Sequence, residues 1–422
     1  VLLCLRFKLL VAALGAAAVT GVPGVAWAVA GELSMAEAVR LAVERSAQLA
    51  SQSAMADAAR EMSGPAAELP DPKLKVGVEN VPTDGPDAWS LNRDFMTMSK
   101  IGLMQEFPRE EKRKLKAQRA LKEAERGTAA VEASKATIRQ QTAIAWIARY
   151  FASETERLVA AQLAEAEIAV AVATGDARSG KTTTGETVAS QVALVEITNR
   201  ATEAALQSKR ARIALGRYIG SEADRLPGTM PDFDRLPFDV KRLEDHQAQP
   251  EVQYAQAQQS LAATEAEIAR AAKQPDWSAE VSYAVRGSAY ANMVSLMFTI
   301  DLPWSAGTKQ DREYAAKLKE LDAAREMVED SVRIHAAEVE TKRAEWEAAR
   351  TQADRIRAAL LPLAAQRVAL ATSAYANGAG PLSTALEARR TELDIRLELL
   401  KQQQVAAQAW AWLRFVLPGE TR

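Results

Sequence analysis

The sequence holds long stretches with almost no helix breaker, and these restrict the fold more than any motif does. From Glu110 to Ala173 there is no proline and one glycine, Gly127; from Thr308 to Asn377 there is one proline, Pro362, and no glycine. Glu186 to Leu215 and Leu382 to Leu417 contain neither. At about 1.5 Å per residue, a helix of ~60 residues runs ~90 Å, far beyond the width of a small domain. Apolar residues keep seven-residue spacing. Ile144, Phe151 and Leu158 recur with Ile147 between them, and Leu386, Leu393 and Leu400 with Leu397. That is coiled-coil periodicity. Aromatic residues are 5% of the chain, so helices are expected to pack side by side, with alanine permitting close approach, rather than around one compact core.

Composition narrows the function. Lys and Arg number 53 against 55 Asp and Glu, a net charge of −2. Without a basic excess, no nucleic-acid partner is expected. One cysteine rules out a disulfide scaffold, and two histidines leave little for acid–base or metal catalysis. Gly175 and Gly180-Lys181-Thr182 have P-loop spacing, but an alanine-rich helix precedes them where that motif needs a buried strand. No catalytic, cofactor-binding or metal-binding residues are expected. Past residue 30 no 18-residue apolar run is apparent, which argues against helices spanning a membrane. Residues 1–30 have the form of a signal peptide: Arg6 and Lys8, an apolar core from Leu9 to Val19, and small-residue cleavage sites at Ala26-Trp27-Ala28 and Ala28-Val29-Ala30.

Two pairs of alternating segments interrupt the helices. Residues 73–80 place Leu74, Val76 and Val78 on one face; 99–107 place Ile101, Leu103 and Phe107 there. Residues 278–286 align Ala279, Val281, Tyr283 and Val285, and 292–301 align Val294, Leu296, Phe298 and Ile300. Each is near the ~9–11 residues that a tilted strand needs to cross a bilayer. Trp277 and Trp304 flank the second pair, where membrane-interface aromatics belong. The alternative is two half-buried hairpins of a soluble domain.

The two halves repeat. Pro70-Asp71 before the first strand matches Pro275-Asp276 before the third, and Pro108 and Pro303 end the second and fourth. Gly180 and Gly378 occupy equivalent turns. The expected organisation is a first repeat over 31–220, with helices 110–173 and 186–219; a proline-rich linker over 221–240; and a second repeat over 241–422, with helices 308–377 and 382–417. Four strands cannot close a barrel, and lipid does not tolerate an open edge. Two chains would supply ~8 strands with a filled interior; three would supply ~12, wide enough for a lumen.

This order, the strand-ending prolines, and the turn Tyr375-Ala376-Asn377-Gly378 followed by Leu382, Leu386, Glu387 and Ala388 resemble the TolC family of outer-membrane efflux factors. The resemblance runs from about Glu32 to Gly419. It implies a mainly α chain with a small β part: a duplicated helix, β-hairpin and long helical hairpin. It implies a homotrimer whose 12-stranded barrel sits in outer-membrane lipid of a Gram-negative bacterium and continues as an α-helical periplasmic barrel. A periplasmic adaptor and an inner-membrane efflux pump are the implied partners. The segments Asp94-Phe95-Met96-Thr97-Met98 and Gln105 to Arg113 further resemble the heavy-metal efflux branch. The alternatives are efflux of organic compounds and, in another class, a non-transport coiled-coil structural protein of the envelope.

The family places acidic side chains after the glycine-containing turn, at the periplasmic entrance. Counted from Gly378, those positions are Thr384 and Glu387; only Glu387 keeps the charge. Glu186, equivalent to Thr384 in the first half, is the candidate for the missing one. The alternative is that both glutamates are ordinary solvated helix-surface charges. The turns around Gly180, Lys181, Gly378, Gly380 and Pro381 are the expected adaptor contacts. Met96, Met98, Met104, Met293 and Met297 are expected on lipid or packing faces, and His246 and His335 on helix surfaces.

Overall fold

The structure, a computed structural model, describes residues 31–238 and 240–416; the signal-like segment 1–30 and the last residues of the second repeat, 417–422, lie outside the described residues. Three short helices come first: α1 (Met35–Arg45), α2 (Ala47–Glu61) and α3 (Ser63–Ala67). Ser34 and Ser46 start the first two, their hydroxyls accepting the Glu37 and Leu49 N–H groups, each at 3.2 Å. Strands β1 (Lys73–Glu79) and β2 (Met98–Phe107) follow, then α4 (Glu110–Arg178) and α5 (Thr184–Ile219). The second half repeats the order with α6 (Pro250–Ala271), β3 (Trp277–Arg286), β4 (Met293–Ile300), α7 (Gln310–Arg355), α8 (Leu361–Ala376) and α9 (Leu382–Val416).

Helix α4 has 69 residues, with Glu110 and Glu111 in its first turn and Arg178 in its last, matching the signs the helix dipole favours. It runs past the expected end at 173 because Gly175 stays helical and Gly180, at φ +73°, makes the turn. Both hairpin tips close the same way. The Lys181 N–H donates to the Asp176 carbonyl at 2.8 Å and the Gly180 N–H to that of Ala177 at 3.2 Å; Ala379 and Gly378 (φ +69°) do likewise to Ala374 and Tyr375, at 2.8 and 3.0 Å. These are Schellman caps, which need a residue with positive φ just past the helix.

Two readings of the sequence need correction. The helix expected over 308–377 is interrupted by a π turn at Ile356–Leu360. Pro362 accounts for it: its ring would collide with the carbonyl four residues back, at Ala358, and the wider turn makes room. By length and composition, α4 also contains an 18-residue window apolar enough to cross a membrane. Alanine counts as apolar on such scales, so an alanine-rich helix passes without a run of large side chains.

The strands form one antiparallel sheet in the order β1-β2-β3-β4, with β2 and β3 joining the halves. Register aligns Leu74, Leu103, Val281 and Leu296 in one row and Val76, Ile101, Tyr283 and Val294 in another. All eight are exposed, as are Val78, Val285, Phe298 and Ile300 on the same face. The other face carries Lys75, Glu79, Lys100, Glu280 and Ser282. Among the described residues, β1 and β4 each leave one edge unpaired.

Contrary to the side-by-side expectation, a localised core exists where α1, the middle of α4 and the ends of α5 and α9 converge, around Trp146, Ile147, Leu215, Ile219, Trp410 and Leu413. Three indole N–H groups in this region fasten loop carbonyls: Trp146 to Leu33 at 2.9 Å, Trp346 to Phe233 and Trp410 to Arg235 at 2.8 Å each. Toward the tips the packing thins to a smaller cluster of Val159, Ile197, Ala204 and Leu393, where α9 lies against α4 and α5.

Candidate functional site

The turn residues singled out from the sequence gather at one end, where the two helical hairpins meet. Thr183 caps α5 reciprocally with Glu186: the Glu186 N–H donates to the Thr183 hydroxyl at 3.3 Å, and the Glu186 carboxylate accepts the Thr183 N–H at 3.4 Å. The same carboxylate accepts the Thr182 hydroxyl, and its Oε1 accepts the Leu382 N–H of α9 at 3.0 Å. The Thr182 hydroxyl first, and the Leu382 N–H second, hold this carboxyl below the usual glutamate value. Glu186 is thus bound across both tips, which spacing alone did not show. A second crossing sits beside it, the Tyr375 hydroxyl donating to Asp176 Oδ2 at 2.9 Å.

Thr384 and Glu387 are exposed on the first turns of α9, next to Pro381 and Gly380. Glu387 lines a groove of about 330 Å³ between α9 and the α4–α5 hairpin, floored by Ala189, Val192 and Leu386. Ion pairs span the groove: Arg389 with Glu165, Arg390 with Glu196 at 3.1 Å, and Arg200 with Asp394 at 2.6 Å. The sequence shows these only as charges at helical spacing; their pairing depends on which helices become neighbours. Gly180, Lys181 and Gly378 are exposed at the tips.

At the opposite end, the sheet's polar face carries an ionic network. Lys75 reaches over β2 to Glu280 on β3 at 2.6 Å, and Lys100 bridges Glu280 and Glu79, each at 3.3 Å. Gly102 lies beneath this crossing; a Cβ there would meet the Ser282 Cβ at 2.9 Å. Met98, Met104, Met293 and Met297 share this face, with Met104 and Met297 flanking Glu280 in register. The lipid half of the expectation for these four is corrected, because their strand positions have the parity of the lysines; Met98 and Met104 are half-buried there. Trp277 stacks on Phe107 at 4.2 Å at the helical end of the sheet, and Trp304 is 88% exposed just beyond.

The histidines also need correction. His246, in a short 3-10 turn before α6, and His335 of α7 meet edge to face with ring centroids 5.4 Å apart. His335 is 5% exposed, and burial, with a smaller effect from His246, pushes its imidazole down to about 4. Chain distance hid the pair. Among the described residues, no three His, Cys, Asp or Glu side chains converge as a metal site.

The backbone superposes closely on solved outer-membrane structures. A membrane protein from Pseudomonas aeruginosa matches with a TM-score of 0.78 at 17% identity, over 92% of this chain and 91% of that one. The outer membrane protein VceC from Vibrio cholerae matches at 0.75 and 16%, over 92% and 97%. CusC, described in terms of transmembrane channel formation, matches at 0.78 and 14%, over 91% and 92%. At these identities the likeness is one of fold. No family model matches the chain, and no curated protein matches it in sequence.

Proposed function

We propose that the chain is a TolC-type outer-membrane channel, the passive exit duct of a tripartite efflux system. One observation carries this reading. A four-stranded sheet exposes a mostly apolar face, with Ser99 and Gln105 its polar exceptions on β2, keeps two unpaired edges among the described residues, and continues into helices of which α4 reaches about 100 Å. Such a sheet suits lipid only once its edges are closed by other copies, and three copies give ~12 strands around a lumen. The Lys75–Glu280–Lys100 face then lines water. Trp277 and Trp304 mark the periplasmic interface, and the helices reach into the periplasm.

In this reading the chain performs no chemistry; a pump in the inner membrane supplies the energy, and an adaptor docks at Gly180, Lys181, Gly378, Gly380 and Pro381. Glu387, with Thr384 beside it, faces the entrance in three copies, and Glu186 fastens the tips. Heavy-metal cations are the proposed cargo, supported by the four thioethers on the polar face, since thioethers suit soft ions. A structural envelope protein has no use for the exposed apolar face. Purified protein added to a planar bilayer should give conductance steps of one size. Cells lacking the chain should become sensitive to heavy-metal salts. Sensitivity only to organic compounds would reassign the cargo, and absence of conductance under every condition would overturn the duct.

A further inference from the structure

Helices α4, α6, α7 and α9 enclose a cavity of about 340 Å³ whose polar lining is mostly hydrogen-bond acceptor. The Thr137 hydroxyl of α4 donates to the Ala133 carbonyl at 3.1 Å, and the Ser331 hydroxyl of α7 to that of Met327 at 2.8 Å. With their hydrogens spent inside their own helices, both oxygens have only lone pairs left for the cavity. His335 of α7 lines it too; the residue is almost fully buried, and its Nε2 has no hydrogen-bond partner. Burial keeps this imidazole neutral down to about pH 4, and a neutral ring can offer a lone pair at that nitrogen. Buried polar atoms are nearly always satisfied, so an orphan here points to an occupant. Glu251 of α6 and Glu338 of α7 are exposed, which puts them at the mouth. Among the described residues neither has an ion-pair partner, and no lysine or arginine lines the cavity. Trp412 of α9 adds an aromatic wall, its ring centroid 6.3 Å from that of His335. The side-chain donors are the Gln140 amide and the Trp412 indole.

A bare metal ion does not suit this wall, because its acceptors are spread out and no three acidic or imidazole groups converge among the described residues. An anion does not suit it either, since two carboxylates would repel it and no cation would receive it. An organic cation with several N–H donors on a carbon frame meets every feature. Its ammonium groups reach separated acceptors at once, its methylenes lie against the aromatic wall, and the face of Trp412 attracts positive charge within about 6 Å. We propose that the cavity binds an aliphatic diamine or polyamine, one ammonium at the mouth beside Glu251 and Glu338 and another inside against His335, Thr137 and Ser331. The exposed carboxylates draw the cation in. The buried acceptors select for N–H groups, because a fully methylated ammonium would leave them unpaired. The proposal stands whether or not the chain conducts.

The test titrates the full chain in detergent with spermidine by calorimetry and, separately, with tetramethylammonium and with 1,4-butanediol. Spermidine should saturate at one per chain. Tetramethylammonium, which has charge without N–H donors, and butanediol, which has donors without charge, should both bind more weakly. Glu338→Gln and Glu251→Gln, at exposed positions that leave the packing intact, should each weaken spermidine by about fivefold, the upper range for an exposed ion pair. Glu340→Gln is the control: it removes the same charge from an exposed position of α7 that does not line the cavity, and affinity should not change. Spermidine should also alter the indole fluorescence of the chain, and Trp412→Phe should remove that change. Absence of saturable spermidine binding, equal binding of tetramethylammonium or butanediol, or equal weakening by Glu340→Gln and Glu338→Gln would overturn the site.

Discussion

The Tyr375 hydroxyl donates to Asp176 Oδ2 at 2.9 Å, joining residues 199 apart in sequence where the two helical hairpins end. Beside it, the Leu382 N–H donates to Glu186 Oε1 at 3.0 Å. Each bond runs from one half of the chain to the other, so together they decide how firmly the tips stay closed.

Tyr375→Phe removes one of these bonds and little else. A hydrogen bond of this kind contributes about 1 kcal/mol, so tip opening should become roughly fivefold more frequent. Hydrogen exchange at the Leu382 amide reads this directly. An unchanged exchange rate would mean that the two crossings open independently.

Acid should loosen the same junction. Glu186 has a folded-state value below its ordinary 4.5. Its contribution is therefore fully present above the unfolded value and is lost as pH falls through the lowered folded value. The protection factor at Leu382, with the intrinsic pH dependence of exchange divided out, should be flat from pH 7 to 5 and fall below about 4.5, and Glu186→Gln should remove that fall.

Replacing Gly102 should disturb the sheet. An added Cβ meets the Ser282 Cβ at 2.9 Å, under the Lys75–Glu280 crossing. Gly102→Val is expected to cost about 1–3 kcal/mol through overpacking, seen as a lower Tm in detergent. Gly77→Ala is the control, because nothing lies within 4 Å of its added Cβ.

Glu387→Gln tests the proposed entrance. If three copies of this carboxylate face a narrow axis, cation-over-anion selectivity in single-channel recordings should fall by about twofold or more. An unaltered reversal potential would return Glu387 to the class of ordinary surface charges.

Much of the architecture was legible because it depends on local rules. Absent breakers announce α4, α5 and α9, and period-two alternation announces all four strands. Local rules also explain where reading stopped. Pro362 looked tolerable inside one helix, since nothing in its neighbourhood says whether the chain ends, kinks or widens there. Trp146, Trp346 and Trp410 carry no local signature of their role, because their indoles meet carbonyls 113, 113 and 175 residues away. His246 and His335 were separated in the same way. Glu186 was identified as important, but its capping box and its bond to α9 depend on the turn geometry and on which helix lies opposite.

The π turn at Ile356–Leu360 has a mechanical consequence. In the first half, α4 runs as a single rod of 69 residues from sheet to tip. In the second, a 46-residue rod and a 16-residue rod meet at a widened turn. A force applied at the tips bends a rod where its hydrogen-bond ladder is irregular before it bends a regular stretch. The duplicated arms are therefore unequal springs, one stiff throughout and one with its compliance concentrated about 24 Å from its end.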